Sequence, residues 1–357
     1  MGMDRTALTG PGASMAMASA ALFGASTPFA KLLLGAVDPW LLAGLLYLGS
    51  GIGLALVRLA RRPLGIGATE APLRRADAPW LLLVVLAGGV AGPVLLMFGL
   101  ARTSAADAAL LLNLEGLATM AIAWVVFREN VDRRILLGAL AILAGAALLS
   151  WQGGPAGVGW GALLIAGACL AWGIDNNLTR KLSGADPVQI AMLKGLAAGT
   201  VNLGLALARG AVLPAPDALL GAGLIGFLGY GVSLTLFVLA LRHLGTARTG
   251  AYFSTAPFIG GAVAVALFGQ PVTLRLLGAA LLMAIGITLH LIERHEHEHV
   301  HEEMVHEHAH VHDAHHQHAH GPGDPSGEPH VHAHRHTRLV HTHPHYPDLH
   351  HRHGHAG

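Results

Sequence analysis

Runs of about 20 apolar residues, separated by short polar breaks, follow one another along the first 292 positions of the chain. A helix needs about that length to cross a bilayer core. Five such runs extend from about Gly12 to Leu34, Pro39 to Leu59, Pro79 to Ala101, Ser104 to Phe127 and Arg134 to Trp151. After a Gly/Pro break, five more extend from about Val158 to Leu178, Val188 to Ala208, Ala218 to Leu241, Thr246 to Phe268 and Leu274 to Ile292. The pattern predicts an all-α polytopic membrane protein of ten transmembrane helices. The first run follows Arg5 and holds small residues, as a secretory signal does. It reads as a span instead, because Pro28 and Lys31 have counterparts later in the chain.

Those counterparts belong to an internal repeat. Leu22-Phe23-Gly24 through Lys31 to Asp38-Pro39 is echoed by Ala171-Trp172-Gly173 through Arg180 to Asp186-Pro187. Farther on, Trp124 to Glu129 with Leu137-Gly138-Ala139 is echoed by Ala266 to Gln270 with Leu277-Gly278-Ala279, a register that sets Glu115-Gly116 opposite Ala256-Pro257. Five spans per copy is an odd number, so the second copy enters the membrane from the opposite side. Inverted repeats of this kind let two half-structures rock about a shared site. The expected organisation is a five-helix repeat over 12–151, a second over 158–292, and a tail over 293–357.

These residues resemble the EamA-type permeases of the drug/metabolite transporter superfamily. The resemblance covers about residues 14 to 292. It rests on the Gly-polar-aromatic ending of the first helix of each half, the Asp-Pro before each second helix, and the Trp124 to Glu129 ending of the fourth. Family members carry Glu-Pro in the middle of the fourth helix of each repeat. This chain divides the pair, with Glu115 in one half and Pro257 in the other. The resemblance implies a ten-helix secondary carrier of metabolites, often an exporter, and names no substrate.

Composition agrees with a membrane-embedded first part: 53% of residues are hydrophobic and 12% charged. Net charge is +1, which gives no field to recruit nucleic acid. The single cysteine, Cys169, lies in an apolar run and reads as a small buried residue, so no disulfide framework is expected. Lysine and arginine orient the chain by the positive-inside rule. Arg58, Arg61, Arg62, Arg74, Arg75, Arg128, Arg133, Arg134, Arg180, Lys181, Arg242 and Arg248 fall on the N-terminal side of the membrane, against Lys31, Arg102, Arg209 and Arg275 on the other. Both termini are therefore expected in the cytoplasm, and the protein in a bacterial inner membrane.

Ionisable residues inside spans are costly, which makes each a functional candidate. Glu115 sits near the middle of its span beside Asn113 and Gly116, where it reads either as a proton-coupling acid or as a helix-packing acid. Asp175 and Lys194 lie at similar depth on adjacent helices of a tight hairpin. Two readings stay open there: an ion pair that neutralises both, or, with Asn176 and Asn177, the lining of a mouth that binds a polar or anionic solute. Asp107, in the first turn of its helix, complements the helix dipole. Pro257 opposite Glu115 brings the two halves' irregularities together. Gly49-xxx-Gly53 and Gly195-xxx-Gly199 read as helix-packing motifs.

From Glu293 the composition changes. All of the 25 histidines except His243 and His290 lie beyond it. They fall in His-x-His strings: His295, His297, His299 and His301; His306, His308, His310 and His312; His330, His332, His334 and His336; His341, His343 and His345. Such a segment cannot build a core and is expected to be disordered. Imidazole suits Zn²⁺, Ni²⁺, Co²⁺ and Cu²⁺, so these ions are expected at the tail. The string His295-Glu296-His297-Glu298-His299 matches the zinc-protease pattern formally, without the fixed helix that chemistry needs.

The leading expectation is a carrier that exports a small organic metabolite by alternating access, with no required cofactor. One alternative is a divalent-metal efflux permease that uses the tail as collector or sensor, and another is a membrane-anchored metal buffer. An enzyme would need a nucleophile-base or metal constellation in the spans, and none is legible. The expected partners are the lipid bilayer, a small-molecule substrate and metal ions, and a homodimer is compatible with the sequence.

Overall fold

A computed structural model describes residues 11–61, 73–127, 133–151, 158–179, 182, 185–291 and four segments of the tail. The first repeat contains α1 (Pro11–Leu33), α2 (Pro39–Arg61), α3 (Ala78–Val84), a π-helical segment (Val85–Ala91), α4 (Gly92–Ala101), α5 (Ala105–Leu111), α6 (Leu114–Phe127) and α7 (Arg133–Ser150). The second contains α8 (Trp160–Thr179), α9 (Pro187–Ala208), α10 (Pro216–Gly226), a second π-helical segment (Phe227–Val232), α11 (Ser233–Phe253), α12 (Ala256–Phe268) and α13 (Leu274–Leu291). Large apolar side chains such as Trp124, Val125, Leu220 and Leu281 are exposed on the bundle, as they must be when the surrounding solvent is lipid.

The repeated Asp-Pro has a local cause. Asp38 Oδ1 accepts from Trp40 N at 2.9 Å and Leu41 N at 3.1 Å. Asp186 Oδ1 accepts from Val188 N at 2.9 Å and Gln189 N at 3.3 Å. Each aspartate thus caps a helix whose first residue, proline, has no N–H to satisfy. The same start is built into the second helix of both halves.

Six described helical stretches are, by length and composition, long and apolar enough to cross a membrane: Pro39–Arg61, Arg75–Ala101, Ala105–Val126, Arg133–Ser150, Val188–Ala208 and Pro216–Ala240. Ala256–Phe268 and Leu274–His290 are apolar but shorter. Helices α1 and α8, outside this set, carry buried Ser19, Ser26 and Thr27, and Asp175 and Asn177, respectively.

The fourth span of each half is broken. Leu112-Asn113 separates α5 from α6, and Ser254-Thr255 separates α11 from α12. Helix α11 also runs through the expected break between two spans, but its chain doubles back. Phe237 and Phe253 would stand about 24 Å apart on a straight helix, whereas their ring centroids are 4.9 Å apart.

The tail contributes four described strands. β1 (His295–His301) pairs antiparallel with β4 (Leu339–His345), and β2 (Met304–His310) with β3 (His330–His336). The His-x-His alternation has the period of a strand. A two-stranded ladder is only marginally stable by itself. His312 lies outside the described residues, as do Glu129, Arg180 and Lys181.

The two repeats interlock. Helix α1 lies against α11 and α12 of the other half, and α8 lies against α4 and α6. Helices α2 and α9, counterparts in the two halves, face each other directly, as do α7 and α13. In the α2–α9 seam, Gly195 meets the backbone of Gly51, and Gly199 the backbone of Gly44 and Leu48. The Gly195-xxx-Gly199 motif therefore serves close packing.

Candidate functional site

The site forms where the π segment of the first half crosses α8. In the π register Gly92 N–H bonds to Ala87 O, so it no longer serves Gly88 O. One residue on, Pro93 has no N–H to offer Gly89 O, four residues back. Two carbonyls are thereby freed inside the bundle, where each needs a donor. Tyr47 OH donates to Gly88 O at 2.7 Å, Trp172 Nε1 donates to the same oxygen at 2.9 Å, and Asn202 Nδ2 donates to Gly89 O at 3.1 Å. The donors come from α2, α8 and α9, so one kinked segment fixes three helices of both halves.

Gly88 also makes room for an acid. A Cβ at this position would stand 2.0 Å from Asp175 Oδ2, so only glycine allows the approach. The counterpart in the second half is Gly229, whose Cβ would meet Ser26 at 2.5 Å. The backbone arrangement is thus repeated, but the acid is not: Asp175 in one half corresponds to Ser26 in the other. Polar chemistry is concentrated on one side of the pseudo-symmetric bundle.

On that side, Asp175 is buried at 4% exposure and forms an ion pair with Lys194. Thr179 Oγ1 donates to the other carboxylate oxygen, Asp175 Oδ1, at 3.1 Å. At the next residue, Asn176 Nδ2 donates to Glu115 Oε1 and to Thr119 Oγ1, both at 3.1 Å. Thr119 Oγ1 donates in turn to Glu115 O at 2.9 Å. Asn177 Nδ2 donates to Thr119 O at 3.0 Å and Gly173 O at 2.8 Å. Its Oδ1 is buried and, among the described residues, has no hydrogen-bond partner.

The sequence candidates therefore divide. Glu115, Asp175, Asn176, Asn177 and Lys194 gather at the interface between repeats, on α6, α8 and α9. Asn113 does not join them: it donates to Leu110 O at 2.9 Å and reaches Met283 Sδ at 3.5 Å, at the break in the fourth span. Pro257 stands in the first turn of α12, after the matching break. Tyr47, Trp172, Thr119 and Asn202 join the site without having been candidates in the sequence. Pro93 held the signal, since a proline inside a span frees the carbonyl four residues earlier and demands a donor.

The charges do not balance locally. Lys194 is committed to Asp175. Among the described residues no cation lies within salt-bridge distance of Glu115, whose carboxylate is held by the Asn176 amide. Asn176 and Gly116 are exposed, and a Cβ on Gly116 would meet nothing within 4 Å. Glu115 is thus half-buried, with a neutralised ion pair and a buried, unpartnered amide oxygen on the neighbouring helices.

Both rims of the bundle are tied across the halves. Arg58 Nη1 meets Asp186 Oδ2 at 3.1 Å, and Arg275 Nη2 meets Asp107 Oδ2 at 3.3 Å. Near the second pair, Lys31 donates to Leu100 O and, at 3.1 Å, to Thr103 O.

Comparison with known proteins matches this architecture twice over. The family profile of the EamA-like transporter family matches residues 10–151 and again 159–292. A protein of Methanothermobacter thermautotrophicus, described as an uncharacterized transporter, is 29% identical over 263 residues, which cover 70% of this chain and 77% of that protein. A solved crystal structure shares the fold with a TM-score of 0.57 at 20% identity, over 77% of this chain and 95% of that one.

Proposed function

Because the chain belongs to the EamA-like transporter family and is an integral membrane protein, we propose that it is a secondary carrier exporting a small polar organic metabolite by alternating access. In this reading the two repeats form ten spans of inverted topology, with both termini in the cytoplasm of a bacterial cell. The cluster between the repeats is the solute site. Glu115 takes up and releases the coupling proton, because it is the carboxylate of the cluster that forms no ion pair with a described cation. The observation that carries the reading is this unpaired acid beside Asn176, Asp175 and Lys194, at the interface where rocking halves would expose a site to each side in turn.

A second reading, divalent-metal efflux, is favoured by the histidine tail alone. Among the described residues of the bundle, no three His, Cys, Asp or Glu side chains stand together as a metal group. A metal path needs such ligands along its length. The two readings separate in one experiment. Cellular Ni²⁺, Co²⁺ and Zn²⁺ and the extracellular pool of organic metabolites are compared between cells making the full chain, a version stopped after Ile292, and none, at matched expression. The carrier reading expects a rise in particular extracellular organic solutes with both versions, and no span-dependent change in metal content. A drop in cellular metal that the spans produce by themselves would put metal efflux in its place.

A further inference from the structure

Contacts between α2 and α9 run in reverse order, from Gly44 with Leu203 through Gly51 with Gly195 to Arg58 with Asp186. The two helices are therefore antiparallel, and their shared Asp-Pro start puts an aspartate at each end of the seam, Asp186 at one and Asp38 at the other. The middle is a fixed point. A Cβ on Gly195 would stand 2.7 Å from Gly51 N, and one on Gly44 2.7 Å from Leu203 N, so the backbones already touch there. The ends differ. At the Asp186 end, Arg58 of the other half reaches Asp186 Oδ2 at 3.1 Å. At the Asp38 end, α9 also supplies an arginine, Arg209. It stands about one helical turn past Ala206, which matches Arg58 when Pro39 is set on Pro187. Yet Arg209 is not on Asp38. Its guanidinium lies over the Trp40 ring, 5.0 Å from the centroid, and Asp38 forms no ion pair among the described residues. The indole is itself held, by Nε1 donating to Asn202 Oδ1 at 3.3 Å and by an edge contact with Phe98. Asp38 Oδ1 accepts from Trp40 N at 2.9 Å, so the carboxylate and the guanidinium flank one residue, and both are exposed. The position matching Trp40 at the other end is Val188, which offers Arg58 no ring.

We propose that Arg58–Asp186 and Arg209–Asp38 are alternating ion pairs at opposite ends of the α2–α9 seam, formed one at a time as the helices pivot about the glycines in its middle. In the structure the first pair is closed and Arg209 rests on Trp40. When the seam tips the other way, Arg58 leaves Asp186, the Asp38 end narrows, and Arg209 moves from the ring to the carboxylate. Inverted repeats favour such an exchange, because each half can take in one state the arrangement that its counterpart has in the other. The energetic scale suits a switch. Exposed ion pairs and exposed cation–π contacts are each weak, so replacing one by the other biases the equilibrium between two states without locking either. The second link at the Asp38 end, Arg275 with Asp107, joins α13 to α5 and lies outside this seam. The inference deepens the carrier reading, whose rocking halves it assumes, and depends on neither the solute nor the coupling ion.

The test reads both ends of the seam in the full-length protein in lipid nanodiscs. One spin-label pair is placed at Leu59→Cys and Val188→Cys, the other at Ala36→Cys and Leu207→Cys, each in a Cys169→Ala background that removes the only native thiol. The native chain should give two distances at each end, the short fraction at one end matching the long fraction at the other. Arg58→Gln should lower the short population at the Asp186 end and raise it at the Asp38 end, and Arg209→Gln should do the reverse. Each shift should change the ratio of the two populations by about twofold or more, the scale of an exposed ion pair. A pair that merely ties two helices together predicts otherwise: Arg58→Gln would loosen its own end alone, and Arg209→Gln would move neither. That result, or a single distance at each end that neither substitution shifts, would overturn the proposal. The distances are read without solute, so a chain that exports nothing and still exchanges them would count against the carrier reading alone.

Discussion

Asp175 and Lys194 show how much a single ionic contact can constrain. Both lie where water is scarce, so each charge depends on the other. Breaking a buried pair by truncating one partner costs about 3–5 kcal/mol, whereas replacing both costs far less. We expect Asp175→Asn and Lys194→Met each to lower thermal stability in detergent more than the double substitution does. Equal or additive losses would show that the pair does not neutralise itself. This contact was legible in the sequence because the two residues sit at matching depth on helices joined by a short turn. The bond from Asn176 to Glu115 was not legible. It joins residues of different halves through a packing that periodicity does not report.

Among the elements, the π segment at Val85–Ala91 organises its neighbours through the carbonyls it frees. If Pro93 is the reason that Gly89 O needs Asn202, a Pro93→Ala change should restore a helical donor and make Asn202 dispensable to that carbonyl. Hydrogen bonds between helices in membranes average about 0.6 kcal/mol, with a maximum near 1.7. We predict that Asn202→Leu costs about 1 kcal/mol more in the native chain than in the Pro93→Ala background, where it still loses the bond from Trp40 Nε1 at 3.3 Å, read by unfolding in mixed micelles. An equal cost in both backgrounds would detach Asn202 from the kink. Hydropathy located the elements well, because apolar runs map directly onto helices. It missed the breaks at Leu112-Asn113 and Ser254-Thr255, since neither interrupts an apolar run sharply.

At the scale of the whole molecule, the repeat was readable from Asp38-Pro39 and Asp186-Pro187, and the family match follows the same division. Pairwise similarity could not reveal that the halves exchange partners, with α1 against α11 and α12, and α8 against α4 and α6. That exchange places one polar cluster between the repeats instead of one inside each. It also explains the asymmetry: a single interface needs a single set of acids, so Ser26 could stand where Asp175 stands in the other half. In the function proposed above, Glu115 in this shared cluster couples solute export to protons. The most direct test compares extracellular metabolites from cells making the full chain, its Glu115→Gln variant at matched membrane expression, and no protein, at external pH 6 and 8. The account predicts that solutes enriched by the full chain respond to external pH, and that the glutamine variant loses the enrichment or its pH response. A variant that exports the same solutes at the same rate and with the same pH response would contradict it.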